Sequence, residues 1–288
     1  MYTSSSLTLR VLSVILIAAL MPFGIAGCTQ KPSSFFLRAK YEPIGKVLAY
    51  SLTSHRSGEK QDNGGPTQKV DSKVEADVVY TTQKILANGN TIVLEETRYF
   101  WDAPVGDSGQ VKRSTREISI RQEVSPTGKI VAFTILGESS SSGDNYTRNF
   151  YDQAVPVFPE KAVTIGDTWT QSAAVRLPDG SQTSTSTSYR VKGTAVKMGY
   201  DCAIIEYKGN VILPITRDSS DTAALEGIDR IEMNGLIYFA YVAGISVNAE
   251  ERRRLIVDRS FVSGGKSVHR KAQFEEVISY SLDSTGAL

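Results

Sequence analysis

The stretch "CAIIEYKGNVIL", residues 202–213, puts Ala203, Ile205, Tyr207, Val211 and Leu213 on one side of an extended chain and Glu206, Lys208 and Asn210 on the other. Side chains of a strand alternate between faces, so a period of two predicts a strand with one face buried. The same alternation recurs in "FFLRAKYE" (35–42), "LAYSL" (48–52), "VEADVVY" (74–80), "NTIVLEETRYFW" (90–101), "REISIRQEV" (116–124) and "KIVAFTIL" (129–136). It continues in "DTWTQSAAVRL" (167–177), "SYRVKGTAV" (188–196), "LIYFAYV" (236–242), "RRLIVDRSFV" (253–262) and "AQFEEVISYSL" (272–282). Turn signals at "ANGN" (87–90), "SPTG" (125–128), "LPDGS" (177–181) and "MGYD" (198–201) fit antiparallel hairpins. Helical periodicity is nearly absent, and the one short candidate is "DSSDTAALEG" (218–227). The fold class is therefore all-β, built from antiparallel sheets with few short helices.

The chain also reads as one plan run twice, in two similar halves each forming a curved sheet or half-barrel. "AVPVFPEKAV" (154–163) is the proline-bearing connector, with Gly45 matching Gly166, Gly89 matching Gly199 and Gly128 matching Gly244. The expected organisation is a leader over 1–27, a tether over 28–34, a first β half over 35–153, a connector over 154–162 and a second β half over 163–288.

The leader rests on "VLSVILIAAL" (11–20), an apolar block preceded by Arg10 as the only charge before residue 28. That pattern is a secretory signal, and Pro22 and Gly24 interrupt it before it reaches the roughly 20 apolar residues that a spanning helix needs. Its last residues, Ile25, Ala26, Gly27 and Cys28, resemble the lipobox of bacterial lipoproteins. The resemblance implies cleavage after Gly27, a diacylglyceryl group on the Cys28 sulfur and an acylated new amino terminus, with palmitate among the expected chains. Each buried methylene contributes about 0.8 kcal/mol, so two or three chains hold a protein on a bilayer. Thr29 stands where the inner-membrane retention signal of such lipoproteins has aspartate, which points to the periplasmic face of the outer membrane.

Cleavage leaves 261 of the 288 residues, with 31 Lys and Arg against 31 Asp and Glu. A neutral chain lacks the basic surplus that nucleic acid requires. With Cys28 modified, Cys202 is the only remaining thiol, so no internal disulfide forms and a buried structural cysteine is expected.

No motif carries catalysis. "GDSG" (106–109) resembles the nucleophile loop of trypsin-like proteases, but Gln110 follows it and His55 lies too close upstream for a double barrel, so it reads as a turn. "SGGKS" (263–267) lacks the glycine of a phosphate loop, with Ser260 in its place, and reads as a hairpin tip. His55 and His269 sit in polar segments and are expected on the surface, leaving no metal site and no cofactor. Glu95 with Glu96, and Glu275 with Glu276, are adjacent on strands and point to opposite faces. In "EERRRL" (250–255), Arg252 and Arg254 share one face while Arg253 shares the other with Glu251. Arg252 and Arg254 are the candidate contact to lipid headgroups.

"FFLRAKYEPIGKVLAYSL", "FPEKAVTIGDTW" and "GLIYFAYVAGISVNAEERRRL" resemble β-rich bacterial envelope lipoprotein families with a Pro-x-x-Gly-Asp-x-Trp-like connector. These are similar in outline to the open-barrel carriers of lipidated proteins and envelope lipids. The resemblance covers most of the mature chain and implies a curved sheet around an apolar hollow. The expected protein is a non-enzymatic, lipid-anchored envelope protein that binds a hydrophobic ligand or a partner protein. The alternatives are an assembly scaffold without ligand and a hydrolase whose groups are gathered across strands.

Overall fold

The computed structural model describes residues 32–105, 110–137, 141–177, 179–215, 226–263 and 266–287. Ser33–Leu288 form one compact unit. Eleven antiparallel strands make a single open sheet: β1 (Lys46–Asp62), β2 (Gln68–Ile85), β3 (Thr91–Val105), β4 (Gln110–Val124), β5 (Ile130–Leu136), β6 (Thr168–Arg176), β7 (Gln182–Lys197), β8 (Tyr200–Ile215), β9 (Glu226–Ala240), β10 (Ile245–Ser263) and β11 (Lys266–Ala287). A helix, α1 (Ser141–Ala154), stands between β5 and β6. The all-β expectation holds, and each alternating run from residue 48 onward falls on one of these strands, overrunning its ends by at most two residues. The four predicted turns join β2 to β3, β4 to β5, β6 to β7 and β7 to β8. At the last of these Met198 and Gly199 both take positive φ, 53° and 80°, the primed geometry that matches strand twist.

The strand order is β5-β4-β3-β2-β1-β11-β10-β9-β8-β7-β6. β1 and β11 pair over nearly their full lengths, so the first and last strands form the middle of the sheet. β5 and β6, consecutive along the chain, lie on opposite edges. Laid flat, eleven strands would span about 48 Å, whereas a helix of 14 residues is about 21 Å long. Yet α1 packs on β5 at one edge and on β6, β7 and β8 toward the other. The sheet must curl for one short helix to touch both margins.

Two further segments pin the curl. Ala39 N–H donates to the Pro126 carbonyl in the β4–β5 turn and Lys40 N–H donates to the Gly244 carbonyl in the β9–β10 turn, both at 2.9 Å. Adjacent residues thus tie together turns on opposite wings of the sheet. The "FFLRAKYE" strand prediction is corrected here: residues 35–42 keep the alternation, with Phe35 and Leu37 buried and Phe36 exposed, but make only the isolated bridge Phe35–Val163. Their backbone N–H groups bond to turns and the connector, and strand side chains of Thr82 and Lys46 bond to their carbonyls, so they form a strap and not a ladder strand. The connector packs beneath it, with the Phe158 ring 4.6 Å from Phe239.

Helix α1 was not anticipated, and the predicted helix at 218–227 lies mostly outside the described residues. Gln153 shows why α1 forms where it does. Beyond Gly209, β8 loses its β7 partner, so Ile212 has N–H and C=O groups in want of one. The buried Gln153 amide supplies both: its Oε1 accepts from Ile212 N–H at 2.8 Å and from Thr185 Oγ1 at 2.9 Å, and its Nε2 donates to the Ile212 carbonyl at 2.8 Å. One side chain does the work of a missing strand residue. Gln153→Leu should lower unfolding free energy by about 2–4 kcal/mol, because it leaves three buried groups unpaired. Chemical denaturation checks this, and an unchanged midpoint would show that Gln153 does not hold α1 in place.

Candidate functional site

Cross-strand partners share a face, so the pairing register sorts inward from outward side chains. On β7 to β9 the inward face is filled: Tyr189, Val191, Ala203, Ile205, Val211, Leu213, Ile231, Met233 and Phe239 are all buried. These pack with Leu37, Phe158, Phe150 and Ala154 into the main core. The matching face of β1 to β4 and β11 is different. Ala76, Val78, Thr97 and Ile120 are buried at the strapped end, but Leu52, Val74, Tyr99, Trp101, Ile118 and Ile278 keep partial exposure. That half of the inner face is an apolar wall with incomplete cover, a hollow where the other half is solid.

Polar groups stand at two places along it. A charge string crosses the middle: Arg56 Nη2 lies 2.9 Å from Glu276 Oε1, Ser54 Oγ donates to the same oxygen at 2.7 Å, and Arg253 pairs with Glu251 and reaches Glu276. The Tyr207 hydroxyl donates to Glu251 from β8, across β9. It can do so because the residue between them in register is Gly235, where an added Cβ would sit 2.7 Å from the Tyr207 oxygen. Burial, then the Glu251 charge, pushes the Tyr207 phenol far above its usual range.

Nearer the strapped end lies Glu95. Gln122 Nε2 donates to its Oε2 at 2.6 Å and Thr97 Oγ1 to its Oε1 at 3.2 Å, while Tyr80, its register partner on β2, turns a hydroxyl to the same carboxylate. Around it stand Tyr41, Tyr80, Tyr99, Tyr151 and Tyr280. Burial raises each phenol first and the Glu95 charge adds to it, carrying Tyr41 up to about 12. Burial likewise raises the Glu95 carboxyl above its usual range. Tyr151 belongs to α1, where it packs edge-on to Phe133 of β5 at 5.4 Å, so the helix lies over this end of the hollow.

The pairs Glu95/Glu96 and Glu275/Glu276 do point to opposite faces, with Glu95 and Glu276 inward. Neither was singled out as a site residue. The available signal was phase: each carboxylate occurs at a position in step with the apolar residues of its strand. Arg252 and Arg254 do share the outward face and are exposed. Arg254 stands 3.9 Å from both Glu232 and Glu275, and Arg252 lines an outward groove of about 880 Å³ with Arg190, Lys208, Asn234 and Glu250. Cys202 is buried, and burial raises its thiol. His55 and His269 are exposed beside Asp71 and Asp258. No cluster of metal-ligating side chains occurs among the described residues. Gly27, Cys28 and the "GDSG" loop lie outside the described residues, while Ser263 pairs with Lys266 as the expected hairpin.

No family model matches the chain, and no curated protein matches it. Among solved structures it is similar to lipovitellin, from a structure of lipid–protein interactions, at 11% identity and a TM-score of 0.43, over 86% of this chain and 26% of that one. The chain thus spans about a quarter of that protein's length. It is also similar to a candidate exported protein of YmcC-like fold from Bacteroides fragilis, at 10% identity and a TM-score of 0.25, over 88% of this chain and 99% of that one.

Because burial raises the folded-state carboxyl of Glu95, the folded protein holds that proton more tightly than the unfolded chain. This contribution is favourable at low pH and is lost as pH rises through the folded value. Glu95→Gln, which carries no charge, should therefore gain stability over the unmodified protein as pH is raised from 4 toward 8. Melting curves across that range test the sign, and a gain that instead grew toward acid would contradict it.

Proposed function

We propose that the protein is a non-enzymatic, lipid-anchored protein of the bacterial envelope that binds a hydrophobic ligand in the hollow of the β1–β4 wing. One observation carries this reading: on a single curved sheet, the inward apolar face is sealed over β7 to β9 and left partly open over β1 to β4 and β11. Apolar surface left in contact with water is unfavourable by about 25 cal/mol per Å², and a concave apolar wall with a few placed polar groups is what ligand pockets present. The lipobox-like Ile25, Ala26, Gly27 and Cys28 supply the anchor, with delivery to the periplasmic face of the outer membrane. On the outward face Arg252 and Arg254 serve as the headgroup contact, two guanidinium forks one pleat apart on β10.

A second reading, a scaffold for another envelope protein, draws on the edges of the sheet. β5 and β6 each pair on one side only, and an unpaired edge can accept a strand from a partner.

Native mass spectrometry of the mature protein, with and without detergent, separates the two. Ligand binding predicts a co-purifying small hydrophobic molecule, whereas protein that is empty in both states favours the scaffold. The anchor has its own test: Cys28→Ala should lose palmitate label and leave the membrane fraction, and equal labelling of both proteins removes it. Arg252→Glu together with Arg254→Glu should weaken binding to anionic liposomes by tenfold or more, about 1 kcal/mol for each arginine lost. Unchanged binding places the membrane contact elsewhere.

A further inference from the structure

Among the described residues, Glu95 has no cationic partner: no lysine, arginine or histidine pairs with it, and its hydrogen bonds come from neutral groups on Gln122, Thr97 and Tyr80. Arg116, the inward cation on the neighbouring strand, is in register with Tyr99, four positions from Glu95 along β3 and about 13 Å away. The other titratable groups facing the carboxylate among the described residues are the phenols of Tyr41, Tyr80, Tyr99, Tyr151 and Tyr280. Placing an anion among rings and withholding a cation costs stability. By contrast, Glu276 has Arg56 and Arg253, and Asp62 has Arg270.

We propose that Glu95 and its surrounding tyrosines form a head-group subsite, and that the ligand is an amphiphile with an ammonium group paired to Glu95 and an apolar tail lying along the hollow. The inference rests on the ligand-binding reading above and names the class of ligand. A carboxylate repels fatty acids and phosphate esters at this position. An ammonium is attracted both by the charge and by the faces of the phenol rings, where cation–π contacts contribute most once water is removed. The tail follows from the register. From Glu95 the inward face of β3 runs through Thr97 and Tyr99 to Trp101, six positions or about 20 Å, with Val78, Ala76 and Val74 opposite on β2. Ile118 on β4 and Ile278 on β11 widen the same wall and keep partial exposure. Burial raises the Glu95 carboxyl, and a bound ammonium supplies the missing counter-charge.

The test compares three probes that differ only in the head group, octylammonium, octanol and octanoate, titrated calorimetrically into the full-length chain and into Glu95→Gln in the same detergent. The unmodified protein should bind octylammonium about tenfold more tightly than octanol, with octanoate weakest. In Glu95→Gln the three should converge to within about twofold. An unmodified protein that binds all three equally, or octanoate best, overturns the ammonium subsite while leaving the hydrophobic hollow standing. Failure to bind any of them overturns the hollow as well. Should the variant not fold, the order of the three probes on the unmodified protein decides the matter.

Discussion

The constraint on which the rest depends is a matter of chain connection. β5 ends at Leu136 and β6 begins at Thr168, yet the two lie on opposite edges of an eleven-stranded sheet. A flat sheet would need the link to cross its full width over one face. Curling lets a single helix touch both margins, and the strap at residues 35–42 and the connector then hold the turns of the two wings together. The hydrogen bonds of Gln153 to Ile212 are where this closure is most specific, since a helix side chain completes the backbone pairing of a strand.

Curling creates an inside, and the chain fills it unevenly. α1, Phe158 and Leu37 all pack into the core on the β7–β9 wing. On the opposite wing α1 meets the sheet toward the Glu95 end, where Tyr151 packs on Phe133. The polar groups of the interior are also distributed unevenly. The Arg56, Glu276, Arg253 and Glu251 string neutralises itself, and Gly235 gives the Tyr207 hydroxyl room to join it. Among the described residues Glu95 has neutral donors alone, in a nest of phenols.

Much of the fold was legible because alternation is a local signal. A strand half buried in a sheet writes its two faces into every second residue, and "CAIIEYKGNVIL" or "SYRVKGTAV" can be read without knowing any partner. Hairpin turns are local too, which is why "ANGN" and "MGYD" fall where β2 meets β3 and β7 meets β8. "FFLRAKYE" marks the limit of that signal. Its alternation correctly separates buried Phe35 and Leu37 from exposed Phe36, but alternation records burial, and a strap across strand ends alternates as a strand does. Helix α1 escaped for the opposite reason: "SSGDNYTRNFYDQA" has few apolar residues, and its hold on the sheet includes hydrogen bonds to residues about 30 and 60 positions away.

By itself the sequence determined the all-β class, the positions of the strands and their turns, and which residues of each strand share a face, including the outward pairing of Arg252 with Arg254. It also determined the lipobox-like context of Cys28, which is covalent and linear. Only the tertiary structure decided that β1 pairs with β11, that the wings curl about α1, which inward face is sealed and which stays open, and that Glu95 meets Tyr99 of its own strand together with four tyrosines from the strap, β2, α1 and β11. The physical reason is range. Periodicity and turn chemistry act between neighbours a few residues apart, whereas strand order and the filling of an interior depend on contacts between residues more than two hundred positions apart, which no local pattern encodes.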